Sequence, residues 1–387
     1  MQTWNLLKQS MPATTIEAAA PEGAASAAAT NAAPPNAHRR IALTMTALAQ
    51  PGAERACART RLQQTTRVVL EVAGILLRVS DRIIGVDVGG TKIAAAALDA
   101  GDLQDPVVVP TDTSSTEVFI DQLEDVVRTV GDASAVGIAV PSVVDWQTGT
   151  ARFSVNIPLA GVPLREVLGE RLGVPVYVDN DATCAALAEA HSDPDHIPDV
   201  LVMLTLGTGV GGGIVLGGQT FRGATGGAAE LGHIIIAADV SKGAPEGSDI
   251  WPKPDSLEGV ADGDALTALA TQHGLQNGKA AVAAAQEGRP EGVEVLRIYA
   301  ERVGVGIANL MNIFDPDEVV LGGGVSAAGE LVRGPAEEVA RRLALPGIGT
   351  KARIRLARYG NDAGTRGAAL MAQQELALDL ERSPDTA

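Results

Sequence analysis

Apolar residues fall in short runs closed by glycine. Ile83 to Val88 is one such run. Gly89-Gly90-Thr91-Lys92 ends it, and residues 93–98 are apolar again. Residues 200–206 repeat the plan: Gly207-Thr208-Gly209-Val210-Gly211-Gly212-Gly213 follows, then Ile214-Val215-Leu216 and Gly217-Gly218. Strand, glycine turn, strand is the reading of both. Further strands are expected at 135–140, 174–178, 234–237, 318–321 and 354–357. Apolar spacing of three and four predicts helices at 116–130, 163–172 and 182–190. The region opening at 257–263 is helical too, with further helices at 264–273, 293–314 and 365–376. Strands and helices alternate, so the class is α/β. Two like hairpins about a hundred residues apart suggest a duplicated, two-lobed fold with its ligand between the lobes.

The first 80 residues do not fit this pattern. They are rich in alanine and broken by Pro, Gly, Asn and Ser, and are expected to be a low-complexity, disordered extension. Residues 65–79 could form one short helix or a strand, and between Arg67 and Ile83 there is no room for a DNA-reading helix-turn-helix. The extension is expected to be dispensable, the product of an overlong gene start. The N-terminus lacks a charged start before a solid apolar core, so no signal peptide is expected. The 387-residue chain exceeds one average domain of ~100–200 residues. Residues 81–179, joined by a C-terminal helix at 364–379, are expected to form one lobe, and 180–363 the other.

Composition narrows the function. A hydrophobic share of 46% is ample for large cores, but aromatics are only 3%, which leaves no stacking platform for bases. A net charge of −17 repels a polyanion. No nucleic-acid partner is expected. No apolar run reaches the ~18–20 residues of a membrane span. Cys57 and Cys184 form no metal or redox spacing, which points to a reducing, cytoplasmic setting.

Packed glycines let backbone N–H groups converge on one point, a nest that suits phosphate. Gly207 to Gly212 also satisfies G-x-G-x-x-G, but no helix can follow at once, as a dinucleotide fold requires. A merely tight structural hairpin is the plainer alternative. Gly85 to Lys92 mimics a phosphate-binding P-loop with Thr and Lys reversed and a strand where a helix belongs, so that reading fails. Asp179-Asn180-Asp181 stands between a strand and a helix. One of the three is explained as an N-cap. All three also sit where α/β proteins place ligands, and both readings hold together. Glu230 and His233 follow on a polar, glycine-broken segment.

Asp87-Val88-Gly89-Gly90-Thr91-Lys92, Asn180-Asp181-Ala182, residues 206–213, Glu230-Leu231-Gly232-His233 and Leu321-Gly322-Gly323-Gly324, in this order, resemble the ROK family of sugar kinases and sugar-sensing repressors. The resemblance runs from about Ile83 to Leu376. It implies the actin-like, ribonuclease-H-like ATPase fold, with two lobes around a cleft. It implies transfer of the ATP γ-phosphoryl group to a hexose hydroxyl, foremost glucose to glucose 6-phosphate, with Mg²⁺ as cofactor and a homodimer as the assembly. Fructose, N-acetylmannosamine, N-acetylglucosamine and allose remain as other acceptors, and polyphosphate as another donor.

By position, the resemblance implies that Asp181 is the general base. Asn180, Glu230, His233 and Glu258 would bind sugar hydroxyls, with Asn156 a weaker candidate. Gly89, Gly90, Thr91 and Lys92 would form a first phosphate turn, with Asp87 near Mg²⁺. Thr208, Gly209 and Gly211 would form a second, and Gly323 and Gly324 would lie against adenosine. Two departures stand out. Many members carry a zinc-binding cysteine cluster after the Gly-His pair, whereas residues 239–257 hold no cysteine. No zinc is expected, and Trp251-Pro252-Lys253-Pro254 is expected to brace the sugar loop by packing. Ala229 stands where glycine commonly precedes the glutamate. A repressor would need a basic DNA-reading domain ahead of Ile83, which the alanine-rich stretch does not supply.

Overall fold

The computed structural model describes residues 82–154, 157–241, 243–244 and 249–382. The expected extension at 1–80 and the candidate Asn156 lie outside them.

The first sheet opens with β1 (Ile83–Val88), β2 (Lys92–Asp99), β3 (Asp102–Leu103) and β4 (Val107–Pro110). Helix α1 (Thr116–Val130) follows; Ser115 caps it, and Phe119, Ile120, Leu123, Val126 and Val127 form its buried stripe. Next come β5 (Val136–Val140), a separate hairpin of β6 (Ser142–Asp145) and β7 (Thr150–Ser154), α2 (Leu164–Leu172) and β8 (Val176–Asn180). Helix α3 (Asp181–Ala190) begins where β8 ends, and the Asn180 side chain caps it by accepting from the Thr183 N–H.

The second sheet holds β9 (Val200–Leu206), β10 (Val210–Leu216) and β11 (Gln219–Thr220). A helical block follows: α4 (Leu257–Ala261), α5 (Gly263–Gln272), α6 (Gly278–Gln286) and α7 (Pro290–Phe314). The chain closes with β12 (Glu318–Gly322), α8 (Glu330–Leu343), β13 (Arg353–Leu356) and α9 (Ala363–Arg382).

Strand order is β3-β2-β1-β5-β8 in the first sheet and β11-β10-β9-β12-β13 in the second. Each is an antiparallel meander followed by two parallel strands. The duplicated plan expected from the two hairpins is therefore present. Alternation along each strand builds the layers. Leu201 and Met203 of β9 face a core shared with α3, α9 and the first sheet's Ile83, Ala139 and Tyr177. Val202, Leu204 and Leu206 face the opposite way, into the core under α4–α8. Helices α3 and α9 are thus sandwiched between the sheets. They cross closely: a Cβ on Gly367 would lie 1.8 Å from the Cys184 carbonyl oxygen. Helix α9 also lies flat on the first sheet, where Gly85 and Gly137 meet the carbonyls of Thr365 and Ala368.

Several local expectations change. Glycines 211–213 lie inside β10, paired with Thr205, Leu204 and Met203; only Gly207 to Gly209 make the turn. The strand expected at 234–237 is absent. The N–H groups of Ile236 and Ala237 both donate to the Asp255 carbonyl, so no ladder forms beyond the single bridge of Ile235 to Ser256. The β6–β7 hairpin and helices α6 and α8 were not anticipated. Gly334 and Pro335 inside α8 hide its periodicity.

Candidate active site

A cleft of about 600 Å³ opens between the ends of the two sheets. Asn180, Asp181, Thr208, Gly209, Gly211, Glu230, His233, Glu258 and Gly323 line it, together with Ser142, Thr205 and Gly207. Nine of the expected site residues therefore meet in one place. Other hollows among the described residues lack any such gathering of polar groups, so its chemistry marks this one. The turn Gly89-Gly90-Thr91-Lys92 and Gly324 are not part of this wall.

Asp181 opens α3, with its Oδ1 accepting the Ala182 N–H at 2.8 Å. Burial lifts its pKa to about 7, and the nearby charges of Asp87 and Glu230 add to the rise. Asp87, near the end of β1, is lifted to about 6 by burial, with Lys92 pulling the other way. Its carboxyl lies where a Cβ on Gly364 would stand, 2.6 Å away, so the glycine opening α9 makes room for it. The two acids therefore feel each other across the sheet ends. Such poised, half-buried carboxylates cluster at functional sites.

The second hairpin works differently. Glu258, from α4, accepts the Val210 N–H at 2.7 Å. A Cβ on Gly209 would sit 2.6 Å from the same carboxylate oxygen. The first amide of β10 thus holds a side chain, between the expected phosphate residues Gly209 and Gly211. The strand glycines serve packing: Gly211 and Gly213 bring Ala182 and Ala186 of α3 against β10, and Gly212 meets Ala229 and Leu231.

Glu230 precedes a short 3-10 turn, Leu231–His233, that His233 closes, with 3.8 Å between His233 Nε2 and Glu230 Oε2. Burial raises the Glu230 pKa; His233 lowers it and Glu258 raises it. Ala229 adopts φ +68°, the left-handed region that favours glycine. His233 packs edge-on against Trp251, ring centroids 5.4 Å apart, and Lys253 lies over the Trp251 ring. The loop does brace the histidine by packing. Among the described residues, no three His, Cys, Asp or Glu side chains gather as a metal-ligand set.

Sequence reasoning missed Ser142, whose buried hydroxyl has no hydrogen-bond partner, and Arg222. Arg222 Nε donates to Asp179 Oδ2 at 2.6 Å and Nη1 to Glu375 Oε1 at 2.8 Å, beneath the Trp146 ring. Asp179 is therefore a structural anchor beside the site. Burial raises its pKa, and the guanidinium pulls it back.

The comparisons agree with this geometry. Residues 83–375 match the ROK family. The chain is 34% identical over 328 residues to a glucokinase of Halalkalibacterium halodurans, covering 78% of this chain and 98% of the relative. It is 34% identical over 301 residues to an N-acetyl-D-glucosamine kinase of an Escherichia coli O1:K1 strain, covering 74% and 98%. Among solved structures, a ROK family glucokinase from Streptomyces griseus in complex with glucose and AMPPNP superposes with a TM-score of 0.64 at 34% identity, covering 76% and 99%. Cleft, paired sheets and family match coincide over the same residues, and the chain belongs to the ROK family.

Proposed function

We propose that this chain is an ATP-dependent sugar kinase that phosphorylates a hexose hydroxyl, glucose to glucose 6-phosphate foremost. One observation carries the reading: Asp181 shares its cleft with Asn180, Glu230, His233 and Glu258. Sugars present many hydroxyls, and amide, carboxylate and imidazole groups supply matching donors and acceptors.

Asp181 is the general base in this reading. It accepts the proton of the attacking hydroxyl, an effect typically worth ~10²–10⁴ in rate. Asn180, Glu230, His233 and Glu258 orient the sugar, with Asn156 a further candidate. Thr208, Gly209 and Gly211 face the phosphates from the second hairpin, with Gly89, Gly90, Thr91 and Lys92 opposite. Gly323 and Gly324 flank the adenosine. Two half-buried oxygen-donor acids, Asp87 and Asp181, are both lifted in pKa, chiefly by loss of water, with Asp87 adding to the rise at Asp181, an environment that suits a hard cation. Bound beside Asp87, Mg²⁺ would neutralise charge on the phosphoryl oxygens. Residues 81–179 with 364–379 are taken as one lobe and 180–363 as the other. The assembly is a cytoplasmic homodimer, which light scattering would check.

The 34% identity to an N-acetyl-D-glucosamine kinase favours one rival acceptor. A motif does not resolve a single hydroxyl's orientation. The test is ADP release with ATP, and separately with polyphosphate, against glucose, N-acetylglucosamine, N-acetylmannosamine, fructose and allose. Highest kcat/KM with ATP and glucose is expected. No turnover of any sugar would refute the kinase.

A further inference from the structure

Arg222 comes from the second-sheet side of the chain, just after β11, yet its guanidinium is sunk among first-sheet partners. It grips Asp179 on β8 and Glu375 on α9, with its side chain only 14% exposed. Asp179 uses its other oxygen to accept the Asn180 N–H at 2.8 Å. The chain of contacts thus ends on the backbone that presents Asn180 and Asp181.

The segment that starts at Arg222 is a closed loop. The Ala228 N–H donates to the Arg222 carbonyl at 3.2 Å. Gly226 within it, at φ +84°, lies so close to β6 that a Cβ would stand 2.0 Å from the Val144 carbonyl oxygen. The loop is therefore fixed in two places, to β8 and α9 through Arg222 and to the separate β6–β7 hairpin through Gly226. Its far end leads through Ala229 straight into Glu230 and His233. The phosphate-side groups, Thr208 to Gly211 and Gly323, stand on strand ends of the second sheet and are held otherwise, Val210 by Glu258 and Gly211 by packing on Ala182; among the described residues the Arg222–Asp179 pair makes no hydrogen bond to them.

We propose that Arg222 is a positioning residue for the acceptor half of the site: it fastens the loop carrying Glu230 and His233 to the strand end carrying Asn180 and Asp181. The sugar subsite is then assembled before nucleotide arrives. This inference rests on the sugar-kinase reading above.

The test is calorimetric titration of glucose in the absence of nucleotide, and of Mg·AMPPNP alone, on the full chain. Arg222→Lys keeps the charge but loses the planar fork that holds two carboxylates at once. Arg222→Gln combined with Asp179→Asn and Glu375→Gln removes all three charges together, so no charge of this cluster is left unpaired. In both variants glucose affinity is expected to fall tenfold or more, with Mg·AMPPNP affinity within about twofold of wild type. A merely structural role would lower the melting temperature without that selectivity. Unchanged glucose affinity in either folded variant, or equal loss of glucose and nucleotide affinity, would overturn the proposal. Wild-type protein that binds no hexose would instead overturn the kinase reading, and this inference with it.

Discussion

The two sheets share one strand order but present different chemistry at the cleft. The first sheet ends in acids: Asp87 stands near the end of β1 and Asp181 follows β8, both half-buried and pushed up in pKa. The second ends in glycine backbone, and Glu258, which reaches it from α4, is tied down by the Val210 N–H. A duplicated scaffold has thus been divided, with proton chemistry on one side and close backbone approach on the other. The division teaches that identical topology fixes where a site lies, while the residues at strand ends decide what each half does.

The sharpest way to break this comparison is at the acids. Asp181→Asn should lower kcat by ~10²–10⁴ while glucose still binds, measured by ADP release and by titration. The glycine side should respond in KM instead. Gly209→Ala drives a Cβ against the flexible end of Glu258, so sugar KM should rise roughly tenfold with little change in melting temperature. Gly232→Ala, by contrast, meets the rigid Val210 carbonyl at 2.0 Å, and should cost about 1–3 kcal/mol of stability in a denaturant melt.

The acids also carry a stability signature. An acid whose pKa is raised on folding adds stability that is complete below its unfolded value near 3.8. That stability is lost as pH rises through its folded value of about 7. Asparagine carries no such loss. Asp181→Asn should therefore melt a few degrees above wild type at pH 8, with the gap shrinking toward pH 5. The smallest effect belongs to Ala229→Gly. Relief of the left-handed backbone is set against glycine's greater freedom when unfolded, so a net gain of about 0–1 kcal/mol is expected in the same melt.

Much of this was legible in the chain. Both hairpins announce themselves through apolar runs stopped by glycine, and their repetition implied the duplicated fold. Asp181, Glu230 and His233 stand in short contiguous motifs, which is why they could be named. Long-range dependence hid the rest. Arg222 sits in an ordinary glycine-rich loop, and its partners lie 43 and 153 residues away. Gly211, Gly212 and Gly213 were read as part of the turn but pair inside β10, because a glycine for close packing and a glycine for a turn look alike. The strand expected at 234–237 failed for a related reason: apolar side chains suggested it, but its amides converge on Asp255.

The pH dependence of kcat/KM for glucose tests the central claim most directly, because it reports the free enzyme's essential base. With Asp181 as that base, kcat/KM should rise with pH to a plateau with a midpoint near 7, and the residual activity of Asp181→Asn should lose that midpoint. A wild-type profile flat from pH 5 to 8, or the same midpoint retained in Asp181→Asn, would contradict the account.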